Sequence, residues 1–541
     1  MRQVSRPLFL ALSVVAGSCV LTVDAADAPS PFGEPYALTG NKIVFTTWHF
    51  IRPGSFAWIN AKGQNVTVAG SENASGAHLE KRDHPTGIRI VVQPAQRSGP
   101  IVQSEKPWET HGVSLSTIIA DENKFRAWGY CADAKNDRFT CYLESTDGKN
   151  WTRPELRLCD FTGTKNNNLL PLPFGGTVFK DPHAPASERY KWVNLDSIDN
   201  KTFETYRAKY PHDWHPAAIR RDVGKTFAVI GAVSPDGLHW TRLEQPLVVE
   251  HSDTQLVAYY DERRGKYVLF TRNYSVGHPT AGYESENRAW WGGDAPGIGR
   301  RAIGRTESAD FRHFPISKVV LEPGPDDLPD DTLYTNCRTT IPGTGEPLLF
   351  PAIWHTSNDT TSIAIAASDD DRNWHFLTHE PIVDTAAYGE WDGGCVFAHP
   401  NLLELPDGAL ALPYTGYNFR HKYPRGQLRF QTGYALWPKA RLIGLEAPDH
   451  GEFATAIILA PGAKLRLNLK TKPTGKILVE AADRDGHPLP GCSFADAIPL
   501  TGDDDAAEVK WKNQTAPFKK GAPIMLRFRM DQSTLFAITF E

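Results

Sequence analysis

A seven-residue word recurs four times in this chain and limits the fold more than any other feature. Ser145-Thr146-Asp147-Gly148-Lys149-Asn150-Trp151 returns as Ser234-Pro235-Asp236-Gly237-Leu238-His239-Trp240. It returns more loosely as Ser308-Ala309-Asp310-Phe311-Arg312-His313-Phe314, and again as Ser368-Asp369-Asp370-Asp371-Arg372-Asn373-Trp374. The serine-to-serine intervals are 89, 74 and 60 residues. The physical reading is a strand that ends at Ser, an Asp that caps the turn, a Gly that accepts positive φ, and an aromatic ring that tucks back and seals one sheet against its neighbour. Ser, turn and aromatic in one order four times specify a repeated supersecondary unit rather than four unrelated hairpins.

A strand meander precedes each copy. Ahead of the first lie strands over 113–119, 125–131 and 138–144, with a turn at Asp121-Glu122-Asn123. In the third unit, strands 256–260 and 267–272 flank the charged turn 261–265. A fifth unit runs from Asp392 to about residue 442, turns at Pro406-Asp407-Gly408 and lacks the repeated ending, as a closing blade would. Helical periodicity over a dozen residues is almost absent, so the expected class is all-β. Four-stranded sheets repeated in this way predict a five-bladed β-propeller over 105–445. Beyond 446, Leu465, Leu467 and Leu469 alternate, as do Ile524, Leu526, Phe528 and Met530, which predicts a C-terminal β-sandwich over 446–541. Residues 27–104 are the least readable; some of them are expected to join the last blade or the sandwich.

The 541 residues carry a net charge of −5 and an isoelectric point near 6.4, which favours neither nucleic acid nor an anionic membrane as partner. Arg2 and Arg6, the short apolar run 8–23 and the small Ala25 and Ala26 read as a signal peptide over 1–26, so the protein is expected to be exported, periplasmic or extracellular, with no membrane contact beyond that signal. Cys131 and Cys141 flank a predicted hairpin, where an oxidising compartment permits a cross-strand disulfide. No Walker loop, His-Glu-x-x-His or Gly-x-Ser-x-Gly is present. The loop word Trp290-Trp291-Gly292-Gly293 belongs at a channel mouth, where long loops carry specificity.

Phe179-Lys180-Asp181-Pro182 resembles the Arg-Asp-Pro motif of glycoside hydrolase family 32, and Glu188-Arg189-Tyr190-Lys191-Trp192 with the stretch 475–499 resembles family 32-like bacterial proteins. Family 43 shares the propeller. The resemblance covers most of 105–541 as architecture and short words. It implies a glycosidase, and it implies that Asp181 stabilises the transition state. The first-blade Trp-Met-Asn-Asp-Pro-Asn-Gly and the Glu-Cys acid motif of family 32 are missing, so fructan specificity does not carry over. No cofactor is expected; a structural calcium ion at the channel centre is implied by analogy alone, with no ligand motif.

Glycoside hydrolysis needs two carboxyl groups flanking the scissile bond, one to protonate the leaving oxygen and one to attack or activate water. In a propeller they project from the innermost strands of different blades. The candidates at those places are Glu109, Asp181, Asp253 and Asp392, with Asp253 or Asp392 as general acid and Glu109 as base or nucleophile. Asp331 occupies the corresponding place in the fourth unit. Trp108, His111, Tyr334, Arg338, Glu390 and His399 are the substrate-binding candidates, and the substrate is a plant or algal carbohydrate. The alternatives are a non-catalytic propeller that binds carbohydrate or protein, and a polysaccharide lyase relying on Arg338, Tyr334 and His399.

Overall fold

The computed structural model describes residues 34–66, 75–215, 218–220, 224–250, 252–276, 299–422, 427–512 and 518–541. The expected export signal, His251 and the Trp290-Trp291-Gly292-Gly293 word lie outside these. The described chain is nearly all-β and has one α-helix, Asn200–Lys209, which buries Phe203 and Tyr206 and is capped where Asp199 accepts from the Thr202 N–H at 2.7 Å. No helix among the described residues is long and apolar enough to cross a membrane.

Antiparallel meanders follow one another along the chain. The first pairs Gly112–Asp121, Lys124–Ala132, Arg138–Ser145 and Leu169–Leu170 in that order. The second pairs Thr177–Lys180, Tyr190–Ile198, Lys225–Ser234 and Thr241–Arg242. The third runs Val257–Asp261, Lys266–Val276, Gly299–Ser308, Lys318–Leu321. Middle strands such as Lys225–Ser234 are apolar on both faces because sheets pack against each side of them. In the fourth, the second strand is split into Pro347–Leu349 and Ala352–His355 around Pro351, which has no N–H for the ladder. The Ala364 N–H, donating to the Pro351 carbonyl at 2.9 Å, keeps the halves continuous. The fifth pairs Cys395–Ala398, Leu410–Tyr417 and Phe430–Trp437, and its outer strand, Gln96–Arg97, comes from ahead of the first meander.

The recurring word forms the turns that join neighbouring sheets. In the first copy the Ser145 hydroxyl accepts from the Gly148 N–H at 2.9 Å, while Asp147 accepts from the N–H groups of Lys149 and Asn150 at 2.8 and 2.7 Å. These backbone donors hold the Asp147 carboxyl well below the usual range. The second copy repeats the pattern with Ser234, Asp236 and Gly237, the fourth with Asp370, whose carboxyl is lowered to about 2. Each turn docks on the preceding sheet. The Gly237 carbonyl accepts from the Trp128 indole at 2.7 Å, and the Asp370 carbonyl from Arg264 at 2.6 Å. The Gly148 carbonyl accepts from the Tyr434 hydroxyl of the fifth meander at 2.8 Å.

The C-terminal unit pairs two 18-residue strands, Leu465–Ala482 and Pro523–Phe540, along their length, with Ile443–Ala454 on the far side of the second. Bulges at Asn468/Leu469 and Thr471/Lys476 let these long strands bend. Its core holds the alternating residues Leu465, Leu467, Leu469, Leu526, Phe528 and Met530, with Phe453 stacked on Phe528 at 4.7 Å. The stretch before the first meander is divided: Lys42–Ile43 and Arg89–Val92 pair into this sheet, Gln96–Arg97 into the fifth meander. The six cysteines among the described residues are free thiols; the hairpin register sets Cys131 opposite Phe139 and Cys141 opposite Gly129, so the two are not cross-strand partners.

Candidate active site

Every meander contributes to one cavity of about 490 Å³. Ser116 and Thr177 line it from the first strands of the first two meanders, Asp253 and Gln255 from just before the third, Tyr334 from the fourth, and Phe397 and His399 from the fifth. Of the residues expected from the sequence, Asp253, Tyr334 and His399 meet here.

Asp253 is the expected carboxylate that lines the cavity. Its side chain is 46% exposed, and it contacts the guanidinium of Arg272, which is 2% exposed. The Ser252 hydroxyl accepts from the Arg272 N–H at 2.8 Å and fixes the segment beside that strand. A second carboxylate, Asp196 on Tyr190–Ile198, also lines the cavity and accepts from Arg242 at 2.9 Å. His399 places Nε2 2.7 Å from the Thr415 hydroxyl, which lies 2.7 Å from that of Ser114. Burial pushes the His399 pKa down to about 4, so its imidazole is neutral at ordinary pH. Tyr334 lies under the Arg301 guanidinium, 4.4 Å from its ring centroid, with the Phe397 ring 5.6 Å away. Tyr130 and Tyr417 join hydroxyl to hydroxyl on the same wall.

Most of the remaining expected residues hold the sheets together. Glu109 is fully buried; it accepts from Arg153 at 2.7 Å and from the Glu105 and Lys106 N–H groups at 3.0 and 3.3 Å. Trp108 beside it donates its indole N–H to Asn168 at 2.9 Å, and His111 Nδ1 sits 2.6 Å from the Asp133 carbonyl. Asp181, also without exposure, is 3.1 Å from Lys191 Nζ and accepts from the Tyr267 hydroxyl at 2.7 Å. Asp392 accepts from the Tyr414 hydroxyl at 2.9 Å and from Arg97 at 3.5 Å, while Glu390 is exposed on the turn before it. Arg338 donates to Asp371 at 3.0 Å and lies 3.8 Å above the Tyr259 ring, which ties the fourth turn to the third sheet. Asp331 lines a separate cavity of about 270 Å³, with Oδ1 2.6 Å from His355 Nδ1.

Sequence reasoning passed over Asp196, Arg272, Arg138, Phe174 and Tyr417. Arg272 had a signal, since it is a cation just past the apolar run 267–270 of a middle strand. Asp196 had none, because alternation along Tyr190–Ile198 does not say which polar residue faces a cavity. The central residues do not fit calcium, which takes six to eight oxygens and prefers clustered carboxylates. Around His399 stand an imidazole and neutral hydroxyls. Among the described residues the cluster with metal-ligand spacing is Asp483, Asp485 and His487, in the C-terminal unit.

No protein-family model and no curated protein matches this chain. Solved structures resemble it remotely. An N-acetylgalactosamine deacetylase from F. plautii, in complex with blood group B trisaccharide, is 13% identical over 64% of this chain and 95% of its own, with a TM-score of 0.40. A family 32 β-fructofuranosidase from Bombyx mori is 9% identical over 80% of this chain and 94% of its own, at a TM-score of 0.34. A thermostable family 43 glycoside hydrolase is 15% identical over 60% and 89%, at 0.35.

Proposed function

We propose that this chain is an exported glycoside hydrolase, built as a five-bladed β-propeller backed by a β-sandwich, that acts on a plant or algal carbohydrate in its central cavity. The observation that carries this reading is Asp253, a half-exposed carboxylate facing a cavity lined by aromatic rings and by hydroxyl and amide side chains from every meander. Aromatic faces stack on the apolar faces of sugars, and neutral polar groups exchange hydrogen bonds with sugar hydroxyls. Asp253 beside the buried Arg272 is the anion that attacks or activates water, in place of the general-acid role expected for it or Asp392 from sequence; Asp196, an anion paired with Arg242, lines the cavity from the second meander. Neutral His399 and Thr415, which line the cavity, offer hydrogen bonds to substrate hydroxyls, and the buried Ser114 hydroxyl braces Thr415 from behind. Reducing-sugar release by the mature protein across plant and algal polysaccharides, with Asp253→Asn in parallel, tests this. Release that disappears in the variant supports a hydrolase acting through Asp253; release that persists removes Asp253 from the chemistry.

A second reading, carbohydrate binding without hydrolysis, is favoured by one observation: Glu109, Asp181 and Asp392 are buried carboxylates, each already engaged by a cation. Glycan affinity without sugar release, unchanged in Asp253→Asn, would select it.

A further inference from the structure

One wall of the central cavity holds a cation whose charge the cavity does not balance. Arg138, on the edge of Arg138–Ser145, lines it with Tyr130, Phe174, Gly175 and Gly176. The other charges there are matched: Asp253 contacts Arg272, and Asp196 accepts from Arg242. Among the described residues Arg138 has no carboxylate within ion-pair distance; its guanidinium instead stands 5.2 Å from the Phe174 ring centroid and 6.0 Å from that of Tyr130. Phe174 is 49% exposed, which is unusual for a ring of that size beside a cavity.

The local backbone explains why Phe174 is held there. It precedes Gly175 and Gly176, at φ +85° and +80°, and a Cβ on Gly176 would strike the Trp192 indole. The Asn194 side chain donates to the Phe174 carbonyl at 3.0 Å. The ring is therefore presented by a braced turn, and the guanidinium lies against it with its donors unmatched by any acid. A planar cation beside an aromatic face suits a sugar ring that stacks while its oxyanion takes two parallel N–H bonds.

We infer that Arg138 and Phe174 form a subsite for a sugar bearing an oxyanion, either a carboxylate or a sulfate ester, and that this subsite sets the substrate class. The inference rests on the carbohydrate reading above and narrows it to acidic glycans. Phe174 supplies the platform and Arg138 the charge. Arg138→Gln removes the charge and keeps the stem, whereas Arg138→Lys keeps the charge and loses the fork.

The test is calorimetric binding of the full mature chain to three probes: an oligogalacturonate, a sulfated galactan oligosaccharide and a neutral xylo-oligosaccharide of equal length. The expected result is at least tenfold tighter binding of one acidic probe than of the neutral one, weakening as salt rises. The better acidic probe identifies carboxylate or sulfate as the group recognised. Arg138→Gln should abolish that preference with the thermal midpoint unchanged, and Arg138→Lys should restore part of it. Equal affinity for all probes, or a preference that survives in Arg138→Gln, overturns the subsite. Turnover of neutral glycans with no charge preference sinks the subsite and leaves the hydrolase standing. An Arg138-dependent preference without bond cleavage does the reverse, and no binding to any probe removes both.

Discussion

Arg272 and Asp253 make an unequal ion pair: the guanidinium is 2% exposed and the carboxylate 46% exposed, on the side of the cavity. The buried cation fixes the position of an acid that substrate can still reach. Asp253→Asn keeps the shape and removes the anion. Reducing-sugar assays should show a loss of at least about a thousandfold in kcat, the scale of a missing base or nucleophile. Thermal unfolding should move by only a few degrees, since Asn retains an acceptor for Arg272.

Asp181 carries the resemblance to family 32, yet it sits in a buried pair with Lys191 and under the Tyr267 hydroxyl. Asp181→Asn leaves an ammonium buried among the rings of Tyr267 and Phe311. Losing one partner of such a pair costs about 3–5 kcal/mol. Denaturant unfolding should register that loss, while kcat/KM of the protein still folded at low temperature stays within a fewfold of the parent. A collapse of kcat with stability intact would return Asp181 to the catalytic set.

The Asp-Gly turns should be sensitive in a graded way. Gly237 has φ +76°, and a Cβ there would come within 2.6 Å of the Trp128 ring. Gly408 has a similar φ of +78° and open space around it. Gly408→Ala should lose only about 1 kcal/mol for the left-handed backbone. Gly237→Ala should lose at least about 2 kcal/mol, because the second sheet must also move off the first. Chemical denaturation of the two variants side by side measures the difference.

Burial raises the Glu346 carboxyl to about 7; Arg263 and the Thr46 hydroxyl oppose the rise and Asp369 reinforces it. Between the ordinary carboxyl range and pH 7 the folded chain therefore holds a proton that the unfolded chain has released. Stability contributed by this group is greatest at low pH and falls as pH rises through that window. Glu346→Gln should flatten the trend and stabilise the fold at pH 8 by up to about 3 kcal/mol, since each tenfold change in proton affinity is worth about 1.4 kcal/mol. Melting curves from pH 4.5 to 8 check both sign and size.

The repeating word made the meanders legible because its chemistry is local: a serine, an aspartate and a glycine satisfy one another within four residues. The alternation of Leu465, Leu467 and Leu469 was legible for the same reason. The site was much less so. Carboxylates before first strands were easy to find, but whether a carboxylate meets a cavity or a buried cation depends on partners far away in sequence. Arg153 lies 44 residues from Glu109, and Arg97 lies 295 residues from Asp392. The division of the stretch before the first meander was hidden in the same manner, since short strands such as Gln96–Arg97 have no pattern until their partners are known.

The outer strand of the fifth meander has a consequence for how the molecule comes to be made. Tyr434 donates its backbone N–H to the Ser98 hydroxyl across 336 residues, next to the pairing of Gln96–Arg97 with the strand at Ala435 and Leu436. During synthesis the segment around residue 97 leaves the ribosome early and waits, edge exposed, until the fifth meander follows. Closure of such long-range pairs is slow, and an unpaired edge invites aggregation in the meantime. Overexpression should therefore yield inclusion bodies more readily when elongation is fast than when it is slowed by cold, and a chain cut just before Phe430 should remain open and sticky however well its earlier sheets fold.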